Sequence, residues 1–285
     1  MIRNRPNFFL IGAAKSGTTA IYSLLGQHPE IFLSVPKEPA FFCENVNWTK
    51  GISWYENLFA NAGTAKVIGE GSTYYTLRPS FDHVVKKIAF HCPKSKFLYV
   101  VRDPIERTIS HYWYAVQRHM ESRGMTDAIL ANPHYLETSD YAYQIAPYLE
   151  AFGRDRILVV SFESFILNPR IALQEIYRWL EVDPNFEPSA TETKLNVGQK
   201  ELVQIKGQGK LYKFSKGRTW RTISPIVPSL IKDLGRFFAI RNVERSSKDR
   251  LATENYLRPL LLDKTKSFVE ILGQEFPEWK TLYRQ

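Results

Sequence analysis

The chain has 285 residues, enough for one large α/β domain or two small ones. With 44% apolar and 24% charged residues it is composed like an ordinary globular protein, and its net charge of +9 favours anionic ligands: a nucleotide, an acidic polysaccharide, nucleic acid or a membrane surface. Two cysteines, Cys43 and Cys92, are too few for a disulfide framework or a zinc site and leave either one bridge or two free thiols.

Phe8 to Ile11 is four apolar residues without alternation, which predicts a buried strand. Because that strand begins by about residue 7, no room is left for a signal peptide. No later run approaches the roughly 20 apolar residues of a membrane span. The expectation is a cytoplasmic chain without stable membrane insertion.

The strand runs into Gly12-Ala13-Ala14-Lys15-Ser16-Gly17-Thr18-Thr19. A nucleotide-binding P-loop has Gly-x-x-x-x-Gly-Lys-Ser/Thr. Here the glycines keep that spacing, but Thr18 stands in the lysine position and the lysine, Lys15, comes three residues earlier. Such a loop can still aim backbone N–H groups at an anion at the start of the next helix. It is poorly suited to the β- and γ-phosphates of ATP, and no clear Mg²⁺-binding aspartate motif accompanies it, which counts against a P-loop kinase.

A helix is predicted from about Gly17 to Gln27, stopped by His28-Pro29. Short strands follow at Lys66 to Gly69 and, more strongly, at Phe97 to Val101. The latter passes through Arg102-Asp103-Pro104 into a helix over about Ile105 to Arg118, with Asp103 placed to cap it and Pro104 suited to its first turn. Further on come a helix near Tyr141 to Phe152, a strand at Ile157 to Ser161 and an amphipathic helix from Asn168-Pro169 through Leu180. Lys200 to Arg221 carries seven basic residues against one acid, Glu201, and reads as a basic, mobile loop. Ser247 to Gly273 is helical, with Pro259 expected to kink or break it. Strands alternating with helices predict an α/β fold: a P-loop-like central parallel sheet flanked by helices on both faces, in a single domain.

These blocks resemble the sulfotransferases that use 3′-phosphoadenosine-5′-phosphosulfate (PAPS), nearest the glycan-modifying branch that includes heparan sulfate sulfotransferases and bacterial relatives. Ala13 to Thr19 resembles their 5′-phosphosulfate loop, and Tyr99 to Ser110 their 3′-phosphate block. Pro36-Lys37-Glu38-Pro39-Ala40-Phe41-Phe42 resembles the segment that carries the catalytic glutamate, with Lys50-Gly51-Ile52-Ser53-Trp54-Tyr55 following at the expected spacing. Ser215-Lys216-Gly217-Arg218-Thr219 resembles a lysine–glycine–arginine loop over the nucleotide. Gly69-Glu70-Gly71-Ser72 departs from the heparan sulfate enzymes, which usually have a substrate-facing lysine here, and their C-terminal cysteine pair is missing.

The resemblance implies a sulfotransferase with PAPS as donor and no metal requirement, acting on a carbohydrate or other hydroxyl or amine acceptor rather than on nucleic acid. Glu38 would be the base, Lys15 the cation on the sulfuryl group, and Lys37 a helper. Lys15, Ser16, Gly17, Thr18, Thr19, Arg102, Ser110, Lys216, Gly217 and Arg218 would hold the nucleotide, the last three in a lid-like loop at about 198–222. Blander readings stay open beside these. Glu38 also reads as a solvated loop carboxylate, Arg102 as a salt-bridged strand-end arginine, the basic run as a solvated loop, and His111 and His119 as packing or surface residues. A small-molecule or lipid acceptor, or a non-catalytic nucleotide or polyanion binder, are the competing functions.

Overall fold

The computed structural model describes residues 5–189, 201–205, 240–244 and 247–284. These fall into two compact units, one drawn from Met1–Arg107, Glu137–Leu195 and Leu260–Gln285, the other from Thr108–Leu136 and Asn196–Pro259.

The first unit is built on strands β1 (Phe8–Gly12), β2 (Ile31–Leu33), β3 (Val67–Gly71), β4 (Lys96–Val101) and β5 (Ile157–Ser161), in the order β2-β3-β1-β4-β5 with every neighbouring pair parallel. The described helices, in chain order, are α1 (Thr18–Leu25), α2 (Ile52–Asn57), α3 (Val84–His91), α4 (Pro104–Gln117), α5 (Met125–Ala131), α6 (His134–Glu137), α7 (Tyr141–Phe152), α8 (Phe162–Leu167), α9 (Pro169–Leu180) and α10 (Ser247–Leu272).

Alternate side chains of the central strands go to opposite faces, and both faces are covered. Phe8, Leu10, Leu98 and Val100 share one core with Ile21 and Leu25 of α1 and with Leu173, Ile176 and Leu180 of α9. On the other face Phe97 meets Tyr148 and Phe152 of α7, with ring centroids 5.2 and 4.4 Å apart. There Phe9 stacks on Phe97 at 5.6 Å and lies 6.2 Å from Phe42. Double-sided burial is why these strands read as unbroken apolar runs. Each such side chain contributes about 1.5–3 kcal/mol by leaving water, so the sheet centre is the rigid base from which the loops at its C-terminal edge project.

The parallel sheet covered on both faces is the expected fold class, and three local readings change. Ile31–Leu33 is an additional strand, too short at three residues to show a period. The expected basic loop does not begin as a loop: Glu201–Ile205 is a strand, β6, paired antiparallel with β7 (Ile240–Glu244) in the second unit. The rest of that segment, including Lys216, Gly217 and Arg218, lies outside the described residues. Finally, of the kink or break expected at Pro259 the break does not occur, because α10 continues through it. Among the described residues no helix is long and apolar enough to cross a membrane.

Candidate active site

The loop after β1 sits where adjacent parallel strands end, the usual ligand crevice of such sheets. The Ala13 N–H donates to the Val100 carbonyl of β4 at 2.5 Å, and the Ser16 N–H to the Ala13 carbonyl at 3.2 Å. Gly17 then opens α1 with φ of 77°, a left-handed backbone where glycine avoids the Cβ penalty. A Cβ there would also collide with the Phe162 ring. Among the described residues no side chain caps the start of α1, so its first N–H groups keep the character of an anion site.

Lys15 itself has φ of 74°, a conformation that a lysine adopts only when its surroundings impose it. Ser16 is fully buried, and its hydroxyl has no hydrogen-bond partner among the described residues. Thr18 is buried and Thr19 exposed. An orphaned hydroxyl beside an uncapped helix start is the polar complement of a phosphate or sulfate oxygen.

Arg102 leaves the end of β4 toward this loop, and its Nη1 donates to the Lys15 carbonyl at 3.4 Å. Tyr141 clamps its backbone, donating to the Arg102 carbonyl at 2.6 Å and accepting from the Arg102 N–H at 3.3 Å. The guanidinium lies over the Phe162 ring, 5.2 Å from its centroid. Its carboxylate neighbours stay long, at 3.7 Å for Glu106 and 3.9 Å for Glu163. Both exceed the roughly 2.7–2.9 Å of a charge-assisted hydrogen bond. Burial pushes the Glu163 carboxyl above its ordinary range, which weakens its claim on the arginine further. Among the described residues Arg102 is thus held in place without a close anionic partner.

Asp103 caps α4 as expected, taking the Ile105 and Glu106 N–H groups on Oδ1 at 3.0 and 3.3 Å. Its Oδ2 accepts the Leu282 N–H at 2.9 Å, a long-range tie with no local signature. Ser110 lies further along α4, in the segment that belongs to the second unit.

Glu38 is placed by the end of β3. Its N–H donates to the Gly71 carbonyl at 2.9 Å, and Gly71 pairs with Leu10 of β1. The carboxylate accepts from Thr73 Oγ1 at 3.1 Å and pairs with Lys37 Nζ at 3.0 Å. It is about one-third exposed, reachable from solvent yet oriented by two donors. Lys37 also lies 5.8 Å from the Tyr22 ring centroid. Glu38 has φ of 62° and Ala40 of 44°, so this loop too holds left-handed non-glycine residues. Three residues beyond Thr73, Thr76 Oγ1 donates to the Ile11 carbonyl at 2.8 Å. The short 73–76 turn therefore touches both the Glu38 loop and the entry to the Lys15 loop.

From the sequence, Trp54, Tyr55, Tyr74 and Tyr75 read either as the lining of an acceptor cleft or as core aromatics. Tyr55 and Tyr75 are buried and Tyr74 is exposed. Both buried hydroxyls serve Glu70, as does Ser72. The one available signal was hydroxyl-bearing aromatics at positions where phenylalanine would have packed equally well. Cys43 and Cys92 are free and buried, and burial pushes both thiols up to about 12. Among the described residues no group of His, Cys, Asp and Glu is arranged to hold a metal.

Residues 5–207 match the sulfotransferase domain family. The chain is 27% identical over 299 residues to the human bifunctional heparan sulfate N-deacetylase/N-sulfotransferase 3, covering 96% of this chain and 31% of that protein. It is 25% identical over 264 residues to the mouse heparan sulfate glucosamine 3-O-sulfotransferase 3B1, covering 86% of this chain and 64% of that protein. The chain spans only about a quarter to a third of the first curated relatives it matches, 24% and 31% of their lengths. Among solved structures, the sulfotransferase from Alicyclobacillus acidocaldarius superposes with a TM-score of 0.71 at 20% identity, over 97% of this chain and 99% of that one, which establishes the shared fold. A match over well beyond half the chain, on strands and loops laid out as above, places this protein in the sulfotransferase domain family.

Proposed function

We propose that this chain transfers the sulfuryl group of PAPS to a hydroxyl or amine, with a carbohydrate as the acceptor. The observation that carries the reading is the pairing of two under-satisfied polar groups at the ends of neighbouring strands. The Ser16 hydroxyl and Arg102 Nε are both buried without a hydrogen-bond partner among the described residues, and Arg102 is tied to the Lys15 carbonyl. Buried polar groups left unpaired are costly, and a nucleotide bearing two separated phosphates would satisfy both. The donor therefore fits the residues present. The Lys15–Thr19 loop would take the 5′-phosphosulfate and Arg102 the 3′-phosphate, with Ser110 as a further phosphate ligand. Lys216, Gly217 and Arg218 would close over the nucleotide, a role supported only by their sequence resemblance.

Sulfuryl transfer is an in-line displacement, in which positioning and charge stabilisation do most of the work. The acceptor oxygen or nitrogen forms a bond to sulfur while its proton passes to Glu38. The bond from sulfur to the 5′-phosphate oxygen breaks, and the electron pair leaves with adenosine 3′,5′-bisphosphate. Thr73 and Lys37 orient the Glu38 carboxylate for that proton. Lys15 stabilises charge on the transferred group and the bridging oxygen.

A carbohydrate acceptor is supported by relatives named for heparan sulfate. The test is twofold. Adenosine 3′,5′-bisphosphate without Mg²⁺ should raise the melting temperature while ATP with Mg²⁺ does not. Label from ³⁵S-PAPS should pass to de-N-sulfated heparan sulfate or another polysaccharide in an acceptor panel. Stabilisation by ATP-Mg²⁺ alone would point to a kinase, and nucleotide binding without transfer to any acceptor would point to a non-catalytic binder.

A further inference from the structure

Glu70, at the end of β3, is fully buried and accepts three hydrogen bonds from hydroxyls. Tyr55 and Tyr75 donate to Oε1 at 2.6 and 2.7 Å, and Ser72 donates to Oε2 at 2.5 Å. Ionised, as at pH 8, the carboxylate can only accept. Each hydroxyl must therefore spend its single proton on Glu70 and turn its lone pairs outward.

Two of those lone pairs are used by the Glu38 loop. The Ala40 N–H donates to Ser72 Oγ at 2.9 Å, and the Phe42 N–H to the Tyr75 oxygen at 3.4 Å. The result is two parallel relays, Ala40 N–H to Ser72 to Glu70 and Phe42 N–H to Tyr75 to Glu70. Both fix backbone immediately after Glu38, in a loop whose Glu38 and Ala40 have positive φ, a conformation that relaxes unless it is held. A carboxylate buried among hydroxyls carries a desolvation cost that an apolar side chain of similar size avoids. Filling this space does not require it, whereas orienting two hydroxyls does.

We propose that Glu70 is a positioning residue for sulfuryl transfer: through Ser72 and Tyr75 it fixes the 40–42 backbone and so aims the Glu38 carboxylate. The proposal rests on Glu38 being the base. It assigns Glu70 no contact with donor or acceptor, so its effect must pass through Glu38.

The test is a functional double-mutant cycle at pH 8, with ³⁵S-PAPS and de-N-sulfated heparan sulfate, alongside calorimetry with adenosine 3′,5′-bisphosphate. Glu70→Gln should lower kcat about 10- to 100-fold, the scale of a small misplacement of a reacting group, with nucleotide affinity unchanged. Introduced into a Glu38→Gln background, the same substitution should lower kcat no further. Ser72→Ala, which cuts one relay with less disturbance, serves if Glu70→Gln does not fold, and should show the same non-additivity. Hydrogen exchange needs no acceptor: amides of Ala40 and Phe42 should exchange at least about tenfold faster in Glu70→Gln, and that of Ala40 alone in Ser72→Ala, while Leu10 in β1 stays protected.

Full turnover in Glu70→Gln and Ser72→Ala, with turnover lost in Glu38→Gln, would overturn the positioning role and leave the base standing. Additive losses in the cycle, or unchanged exchange at Ala40 and Phe42 in Glu70→Gln, would overturn it as well. Retained turnover in Glu38→Gln would remove the base and the positioning role together.

Discussion

Arg102→Ala separates a structural arginine from a ligand-binding one. Among the described residues the guanidinium's polar contacts are long: 3.7 and 3.9 Å to Glu106 and Glu163, and 3.4 Å to the Lys15 carbonyl. Its side chain is 24% exposed. Ion pairs of this kind contribute about 0–1 kcal/mol, and the single neutral acceptor adds about 0.5–1.5 kcal/mol. The variant should therefore lose no more than about 2 kcal/mol of folding stability. Against a phosphate the same group makes short charge-assisted bonds, and removing one partner of such a pair costs about 2–4 kcal/mol. Binding of adenosine 3′,5′-bisphosphate should thus weaken roughly 30- to 1000-fold. Titration calorimetry and urea denaturation on the same preparation measure the two quantities. An unchanged Kd would refute the 3′-phosphate assignment. A Kd loss accompanied by a collapse in stability would show that Arg102 is principally a structural strut.

Glu38→Gln should leave nucleotide affinity intact while turnover falls by at least about 10²-fold, and Lys15→Ala should damage both; steady-state kinetics with calorimetry distinguishes them, and full activity in Glu38→Gln would reject the base. Burial outweighs the three hydroxyl donors at Glu70 and pushes its carboxyl up to about 7. Between about pH 4.5 and 7 the folded chain then keeps a proton that the unfolded chain has released. Stability attributable to Glu70 is accordingly present at low pH and lost as pH rises through 7, on the order of 3 kcal/mol. Urea denaturation at pH 5 and pH 8 should show wild type losing ground to Glu70→Gln at the higher pH, and the opposite trend would contradict that shift. Gly17→Ala should cost about 2–4 kcal/mol, because the left-handed backbone and the collision with Phe162 add; equal stability would mean that the loop opens differently from the geometry described.

The parts of the fold visible in the sequence are those dictated locally. Phe8–Gly12, Lys96–Val101 and Ile157–Ser161 are buried on both faces, so their unbroken apolar runs announced them. Asp103-Pro104 announced its helix because capping is a contact between neighbours in sequence. Glu38 was singled out by the resemblance of Pro36–Phe42 to a segment carrying a catalytic glutamate, but the groups that orient it were not. Thr73 and Gly71 lie more than thirty residues downstream, and only the pairing of β3 with β1 brings them under the loop. Glu70 stood in the sequence within Gly69-Glu70-Gly71-Ser72, noted for its departure from the heparan sulfate enzymes, but its role was not legible. Nothing local foretells that Tyr55 and Tyr75 converge on its carboxylate. β6 was missed because a run of lysines dominates its neighbourhood, while its pairing partner lies some forty residues away at Ile240–Glu244.

A crystal structure of the chain with adenosine 3′,5′-bisphosphate tests the central claim most directly. The account predicts the 5′-phosphate at the start of α1, accepting from the Ser16 hydroxyl and loop N–H groups, and the 3′-phosphate against the Arg102 guanidinium. A nucleotide bound elsewhere on the sheet, or one whose phosphates leave both Ser16 and Arg102 unpaired, would contradict it.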